Sequence, residues 1–237
     1  MLSSIGETPY DLRFSMLGIP VRVHPMFWLM SAIMGAASND LRLIITWMMC
    51  MFVSILVHEL GHALAAKSYG WPVEITLYHF GGLASYSPGR GYSRGRAIWI
   101  SFAGPLAGFC LYGLVIAVEM AMFRFGLNSP FLARIALTDP PIFFFAIRQM
   151  KFINLYWGAV NLLPVLPLDG GRICSELLNA RSSHNGQLRS LQIGIVVAGL
   201  AAAFFLTDNQ LYAGLLFGSL AYENYRQYEQ IRRGSWS

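Results

Sequence analysis

Fifteen consecutive residues, 43–57, carry no charge, and they run without a break into His58-Glu59-Leu60-Gly61-His62. Helix-compatible residues continue to Lys67. At 1.5 Å per residue, a helix of this length crosses the ~30 Å hydrocarbon core of a bilayer. Two histidines and a glutamate deep in such a helix are costly unless they are partnered, so the run that points to lipid also points to a site. Composition agrees with the first half of that reading. Of 237 residues, 55% are hydrophobic and 12% are charged, where an ordinary domain carries ~25% charge. That balance excludes a disordered chain and argues against a soluble domain. The net charge of +5 is read as basic cytoplasmic loops and not as nucleic-acid binding.

The remaining pattern predicts a polytopic α-helical membrane protein with about six transmembrane helices and a small membrane-associated β element. Residues 12–24 read as an amphipathic hairpin around Gly18-Ile19-Pro20, and 25–37 as a short first helix. The second span is 43–67. Residues 73–86 alternate apolar and polar, a strand period, with Gly81-Gly82 permitting a turn or a close backbone approach. A basic loop at 87–96 leads to a third span at 97–122. Residues 123–151 read as an interfacial loop, and 152–168 as a fourth span interrupted by Pro164 and Pro167. The last two spans, 191–206 and 210–222, turn at Thr207-Asp208-Asn209. The chain is expected to be a single membrane-embedded domain over 1–237. Its catalytic core is 43–180, its N-terminal hairpin and first helix 12–37, and its C-terminal helical hairpin 191–222.

No secretory signal is expected, since the first 24 residues carry Glu7, Asp11, Arg13 and Arg22 without a compact apolar stretch. Six spans put both termini on one side. That side then holds twelve of the seventeen Lys and Arg, so the positive-inside rule places both termini in the cytoplasm. Cys50, Cys110 and Cys174 do not form a disulfide framework.

On a helix, histidines at i and i+4 lie one above the other and reach one zinc ion, with Glu59 beside the open coordination position as general base. A hydrolytic zinc needs a third protein ligand. Asp169, in Asn161-Leu-Leu-Pro-Val-Leu-Pro-Leu-Asp-Gly-Gly171, is the best candidate. The second and fourth spans run in the same direction, so both motifs reach one depth near the cytoplasmic face. His58 lies about 22 Å along its helix, which puts the metal a little below that surface. Glu74 and Glu176 are the rival third ligands. Asn161 is a candidate for orienting substrate or stabilising an oxyanion, Asn154 for helix packing, and His24 and His79 for interfacial hydrogen bonding.

These motifs together resemble the site-2 protease family of intramembrane zinc metalloproteases. The resemblance rests on His58–His62, on Phe80-Gly81-Gly82, on Phe102-Ala-Gly-Pro-Leu-Ala-Gly108 and on the 161–171 run. It implies that His58, His62 and Asp169 bind Zn2+ and that Glu59 is the catalytic base. It implies a three-helix catalytic core, here the second to fourth spans, and a membrane-associated sheet. It also implies membrane-spanning substrates cut near the cytoplasmic face, either membrane-tethered regulators or signal-peptide remnants, in a bacterial inner membrane. No PDZ or CBS domain of the kind some members carry is expected. The rival functions are a catalytically silent membrane chaperone, which intact Glu59 argues against, and a zinc transporter, which would need several sites along the spans. Finally, a strand at 73–86 offers an edge for the extended substrate. Gly81, Gly82, Leu83, Ala84 and Ser85 are therefore the candidate substrate-binding residues.

Overall fold

The computed structural model describes residues 6–36, 39–79, 81–89, 91–126, 142–180 and 183–234. Phe80, Ser129 and Pro140-Pro141 lie outside them. Two compact units divide the chain, one of residues up to 89 and 106–158, the other of 90–105 and 159 onward.

The first unit begins with a hairpin of β1 (Leu12–Met16) and β2 (Ile19–Val23). Its two-residue turn holds Leu17 at φ 53° and Gly18 at φ 69°, the left-handed pair that matches the twist of antiparallel strands. Ile19, Val21 and Val23 are buried on one face of β2, as strand alternation requires. Helix α1 (Pro25–Gly35) follows, capped by His24, whose Nδ1 accepts from the Met26 N–H at 3.1 Å. Helix α2 (Leu41–Ser68) is capped by Asp40 and closes before Gly70 at φ 76°, a left-handed residue of the type that commonly ends helices. At this end Lys67 Nζ donates to the carbonyls of Leu17 and Gly18, at 2.7 and 3.2 Å, and ties the hairpin turn to α2.

Strand β3 (Val73–Tyr78) lies parallel to β2, and β4 (Gly81–Tyr86) antiparallel to β3. The sheet order β1-β2-β3-β4 leaves β4 at an edge. The expected strand at 73–86 is thus a hairpin. The inner face of the sheet, with Val21, Val23, Ile75, Leu77 and Ala84, joins Phe27 and the α2 residues Ile55, Leu60 and Ala63 in one core. Each fully buried aliphatic side chain contributes ~1.5–3 kcal/mol. Packing therefore sets the sheet against the helix that carries His58 and His62.

Helix α3 (Arg94–Ala121) contains Pro105 and ends in a π-helical turn, Met122–Gly126. Helix α4 (Ile142–Asn161) corrects two expectations. Residues 142–151, read as loop, are helical. Lys151, within this stretch, is paired with Glu119 of α3 at 2.7 Å, so its charge is offset between helices. The helix also closes at Asn161, well short of 168. Pro164 has no N–H to continue the ladder and crowds the preceding turn. Within this unit Asn154 Nδ2 donates to Ser54 Oγ at 2.9 Å, a polar clasp between α4 and α2 one turn before His58.

In the second unit, residues 162–168 form tight turns that lead into α5 (Asp169–Asn179). Helices α6 (Ser183–Thr207) and α7 (Leu211–Gly234) make the expected C-terminal hairpin around Asp208-Asn209, with Phe205 stacked on Phe217 at 5.5 Å. Helix α7 runs past the expected limit of 222. Glu223 and Glu229 pair with Arg226, Arg232 and Arg233 one turn away, which supports a solvated helical extension.

The chain is mostly helical with a small sheet. Among the described residues three helices are long and apolar enough to cross a membrane: Leu41–Ser68, Arg94–Arg124 and Asn185–Thr207. The expected six are reduced on this measure for local reasons. Helix α1 has 11 residues, α4 carries Arg148 and Lys151, and the charged half of α7 lowers its mean hydropathy.

Candidate metal centre

His58 and His62 project from the same face of α2, and both are buried, at 3% and 7% exposure. Their Nε2 atoms are 3.2 Å apart. Two nitrogens bound to one tetrahedral zinc at 2.0–2.1 Å would stand about 3.3 Å apart, so the observed separation matches the edge of such a site. The helical spacing alone produces it, because one turn stacks the two imidazoles.

Asp169 is buried at the first position of α5. The local chain makes this possible in two steps. Helix α4 stops at Asn161, and the chain folds back through Val165 N–H to Leu163 O and Leu168 N–H to Val165 O. Gly170 and Gly171 then lie directly against the backbone of Leu162 and Val165, where a Cβ would overlap backbone atoms. The double glycine after the aspartate is therefore a packing requirement. One ligand atom each from His58, His62 and Asp169 lie within 4.8 Å of one another, all three residues buried. Two imidazoles and a carboxylate form a three-ligand set that suits zinc and leaves a position for water.

Glu59 is next to the first histidine and is 6% exposed. Its Oε2 accepts the Ala84 N–H at 2.8 Å, and its side chain fills the space where a Cβ on Gly82 would stand. The β4 edge thus lies on the glutamate. Gly81 makes the same allowance for Trp157, whose ring would meet an added Cβ at 3.1 Å. Because Ala84, opposite Ile75 in the register, turns its N–H to Glu59, the hydrogen-bonded pairs with β3 fall at Leu83 and Ser85. Asn161 is buried at the end of α4.

The rival ligands stand elsewhere. Glu74 is exposed on β3, and Glu176 accepts the Tyr92 hydroxyl at 2.6 Å. His24 is a helix cap, with its ring 4.8 Å from Tyr78. His79, at the β3–β4 turn, has its pKa pushed below the ordinary histidine value, first by burial and then by the charge of His24. The bond from Ala84 to Glu59 was not visible in the sequence, because a backbone donor leaves no residue signature.

The chain matches the family model described as Peptidase family M50 over residues 46–139 and 139–206. It is 31% identical over 204 residues to a zinc metalloprotease of Methanocaldococcus jannaschii, covering 83% of this chain and 53% of that protein. It is 26% identical over 217 residues to stage IV sporulation protein FB of Bacillus subtilis, covering 90% of this chain and 67% of the relative. The chain spans about half the length of the first and two thirds of the second. Among solved structures it resembles the site-2 protease from Methanocaldococcus jannaschii, with a TM-score of 0.62 at 24% identity, covering 92% of this chain and 95% of the other. That likeness establishes a shared fold.

Proposed function

This chain belongs to peptidase family M50, the site-2 proteases, and from that premise we propose that it is a zinc-dependent endopeptidase. It hydrolyses peptide bonds of membrane-spanning proteins near the cytoplasmic face. The observation that carries this reading is the buried His58–His62–Asp169 group with Glu59 beside it. His58, His62 and Asp169 would hold the zinc, which would supply Lewis acidity for a water molecule and the scissile carbonyl. Glu59 is the base. The Ala84 N–H fixes its Oε2, which leaves Oε1 to take the proton from water and return it to the leaving amine. Asn161 assists by orienting substrate or donating to the developing oxyanion.

The substrate must be extended before it is cut, and unwinding a helix in lipid exposes backbone groups at several kcal/mol each. The outer edge of β4 offers replacement bonds by strand addition. The segment 83–85 is the pairing partner, with the outward groups of Gly82 and Tyr86 and the outward carbonyl of Ala84 meeting the substrate backbone, while the Ala84 N–H stays on Glu59 and the space over Gly81 and Gly82 is taken by Trp157 and Glu59. Intact Glu59 favours this reading over a silent chaperone. Among the described residues one group of three such side chains could hold a metal, which disfavours a transporter.

The whole chain acts as one membrane domain with core 43–180, flanked by the 12–37 and 191–222 segments. In a six-span arrangement both termini lie in the cytoplasm, a reading that the distribution of Lys and Arg supports. A cysteine at Ser93 then reacts with reagents confined to the cytoplasm and one at Ser129 does not. Labelling of both from that side would break the six-span arrangement. The protease itself is tested in liposomes with a single-span substrate. A zinc chelator stops cleavage, added Zn2+ restores it, and mass spectrometry places the cut near the cytoplasmic end of the span. Cleavage that survives complete zinc removal would sink the assignment.

A further inference from the structure

The C-terminal hairpin α6–α7 lies outside the segment that carries the catalytic motifs, yet one of its side chains reaches into that segment. Asn224, on α7, has 0% exposure. Its Nδ2 donates twice: to Leu220 O of its own helix at 2.8 Å, and to Leu166 O at 2.6 Å. Leu166 sits in the 162–168 turns, three residues before Asp169. A residue that merely packs α7 needs the first of these bonds. The second satisfies a carbonyl in the stretch where Pro164 and Pro167 deny the backbone its helical ladder. A carbonyl left unpaired there would carry the full desolvation cost.

The neighbour on α6 is fitted to the same contact. A Cβ on Gly194 would stand 2.5 Å from Asn224 Oδ1 and 3.5 Å from Pro164 O. Gly194 thus lets α6 approach while Asn224 stays on Leu166. The stretch is also held from below, through Leu168 N–H to Val165 O at 2.9 Å and Arg172 N–H to Leu168 O at 3.1 Å. Asp169 is therefore the first helical residue after a backbone run clamped on one side by α5 and on the other by Asn224.

We infer that Asn224, seated by Gly194, is a positioning residue for Asp169, so that the C-terminal hairpin sets the geometry of the metal centre. The inference rests on Asp169 being a zinc ligand. Partners that orient a ligand without touching the metal typically change metal affinity by 10–100-fold when removed.

The test uses the full chain in detergent micelles. Zinc affinity is measured by competition with a chromogenic chelator, and the visible spectrum of the Co2+-loaded protein reports ligand geometry. Asn224→Leu keeps the branched outline of the side chain, with bulkier methyl groups, and removes the donor. Gly194→Ala pushes Asn224 off Leu166 from the other side. Gly199→Ala is the control, since nothing lies within 4 Å of its added Cβ and it sits on the same helix. Asn224→Leu and Gly194→Ala are expected to weaken zinc binding about tenfold or more and to shift the Co2+ bands, while Gly199→Ala matches the parent. Combining the two should cost little more than either alone, because both break one contact. Should Asn224→Leu lose its helical circular dichroism, Gly194→Ala decides. Parent-like affinity and spectrum in Gly194→Ala, or in a folded Asn224→Leu, would overturn the inference. Asp169→Ala measured alongside separates the two ideas. If it keeps full zinc affinity the ligand assignment has failed, and if it loses zinc while Asn224→Leu does not, the positioning role alone has failed.

Discussion

Glu59→Gln is expected to keep its zinc and lose about 10²–10⁴-fold in turnover, the range that a positioned general base contributes. Glutamine has the same shape and keeps an oxygen for the Ala84 N–H, so the bond at 2.8 Å and the packing against Gly82 survive. What it lacks is a basic oxygen to take a proton. Asp169→Ala is expected to behave differently, because it removes one of the three proposed ligand atoms. Two imidazoles with Nε2 atoms 3.2 Å apart remain, and both metal content and cleavage fall. Elemental analysis beside a cleavage assay separates the two outcomes. Full zinc and full activity in Asp169→Ala would move the third ligand to another carboxylate. The structure makes the obvious replacements poor: Glu74 is exposed and Glu176 is engaged with Tyr92.

The candidate site was legible in the sequence where chemistry is written in side chains at helical spacing. His58 and His62 had to stack once residues 43–67 were read as one helix, and the ionisable groups were conspicuous against their apolar surroundings. The strand period at 73–86 and the hairpin at 12–24 were equally open, since Val21, Val23, Ile75 and Leu77 alternate with polar or exposed neighbours. Long-range partners hid the rest. Residues 142–151 carry Arg148 and Lys151 and so read as loop, while the partner that offsets Lys151, Glu119, lies 32 residues away in the chain. The fourth span reads as longer because apolar residues continue past Asn161, although Pro164 and Pro167 interrupt the ladder there. Asn224 left one usable signal. Gly214, Phe217 and Asn224 are the buried residues of α7, at helical spacing, so an asparagine on an apolar stripe was there to be questioned. Its partner, a backbone carbonyl, was not.

The sharpest consequence of the β4 contact concerns Gly82. An added methyl group there overlaps the Glu59 side chain at Cγ and Cδ. The obstacle is a side chain and not backbone, so the fold has an inexpensive way out: Glu59 swings aside. The strand keeps its register with β3, and His58, His62 and Asp169 are undisturbed. On the proposal that Glu59 is the base, movement of the carboxylate is what catalysis cannot tolerate, because it breaks the bond from Ala84 and carries the proton acceptor away from its working position. Gly82→Ala is therefore expected to fold, to bind zinc like the parent and to lose about 10²–10³-fold in turnover, within the range for removing a general base. Gly170→Ala provides the contrast, since its methyl group meets the backbone of Leu162 and should impair folding and metal binding together. Ala84→Pro tests the same edge from the backbone. Its N–H faces Glu59 and not β3, so proline on this edge strand removes the donor to the base while leaving the sheet paired. Cleavage should fall with zinc content unchanged. A Gly82→Ala protein that cleaves normally would show that Glu59 works from a position other than the one held by β4, and would remove the reason for placing the substrate along that edge.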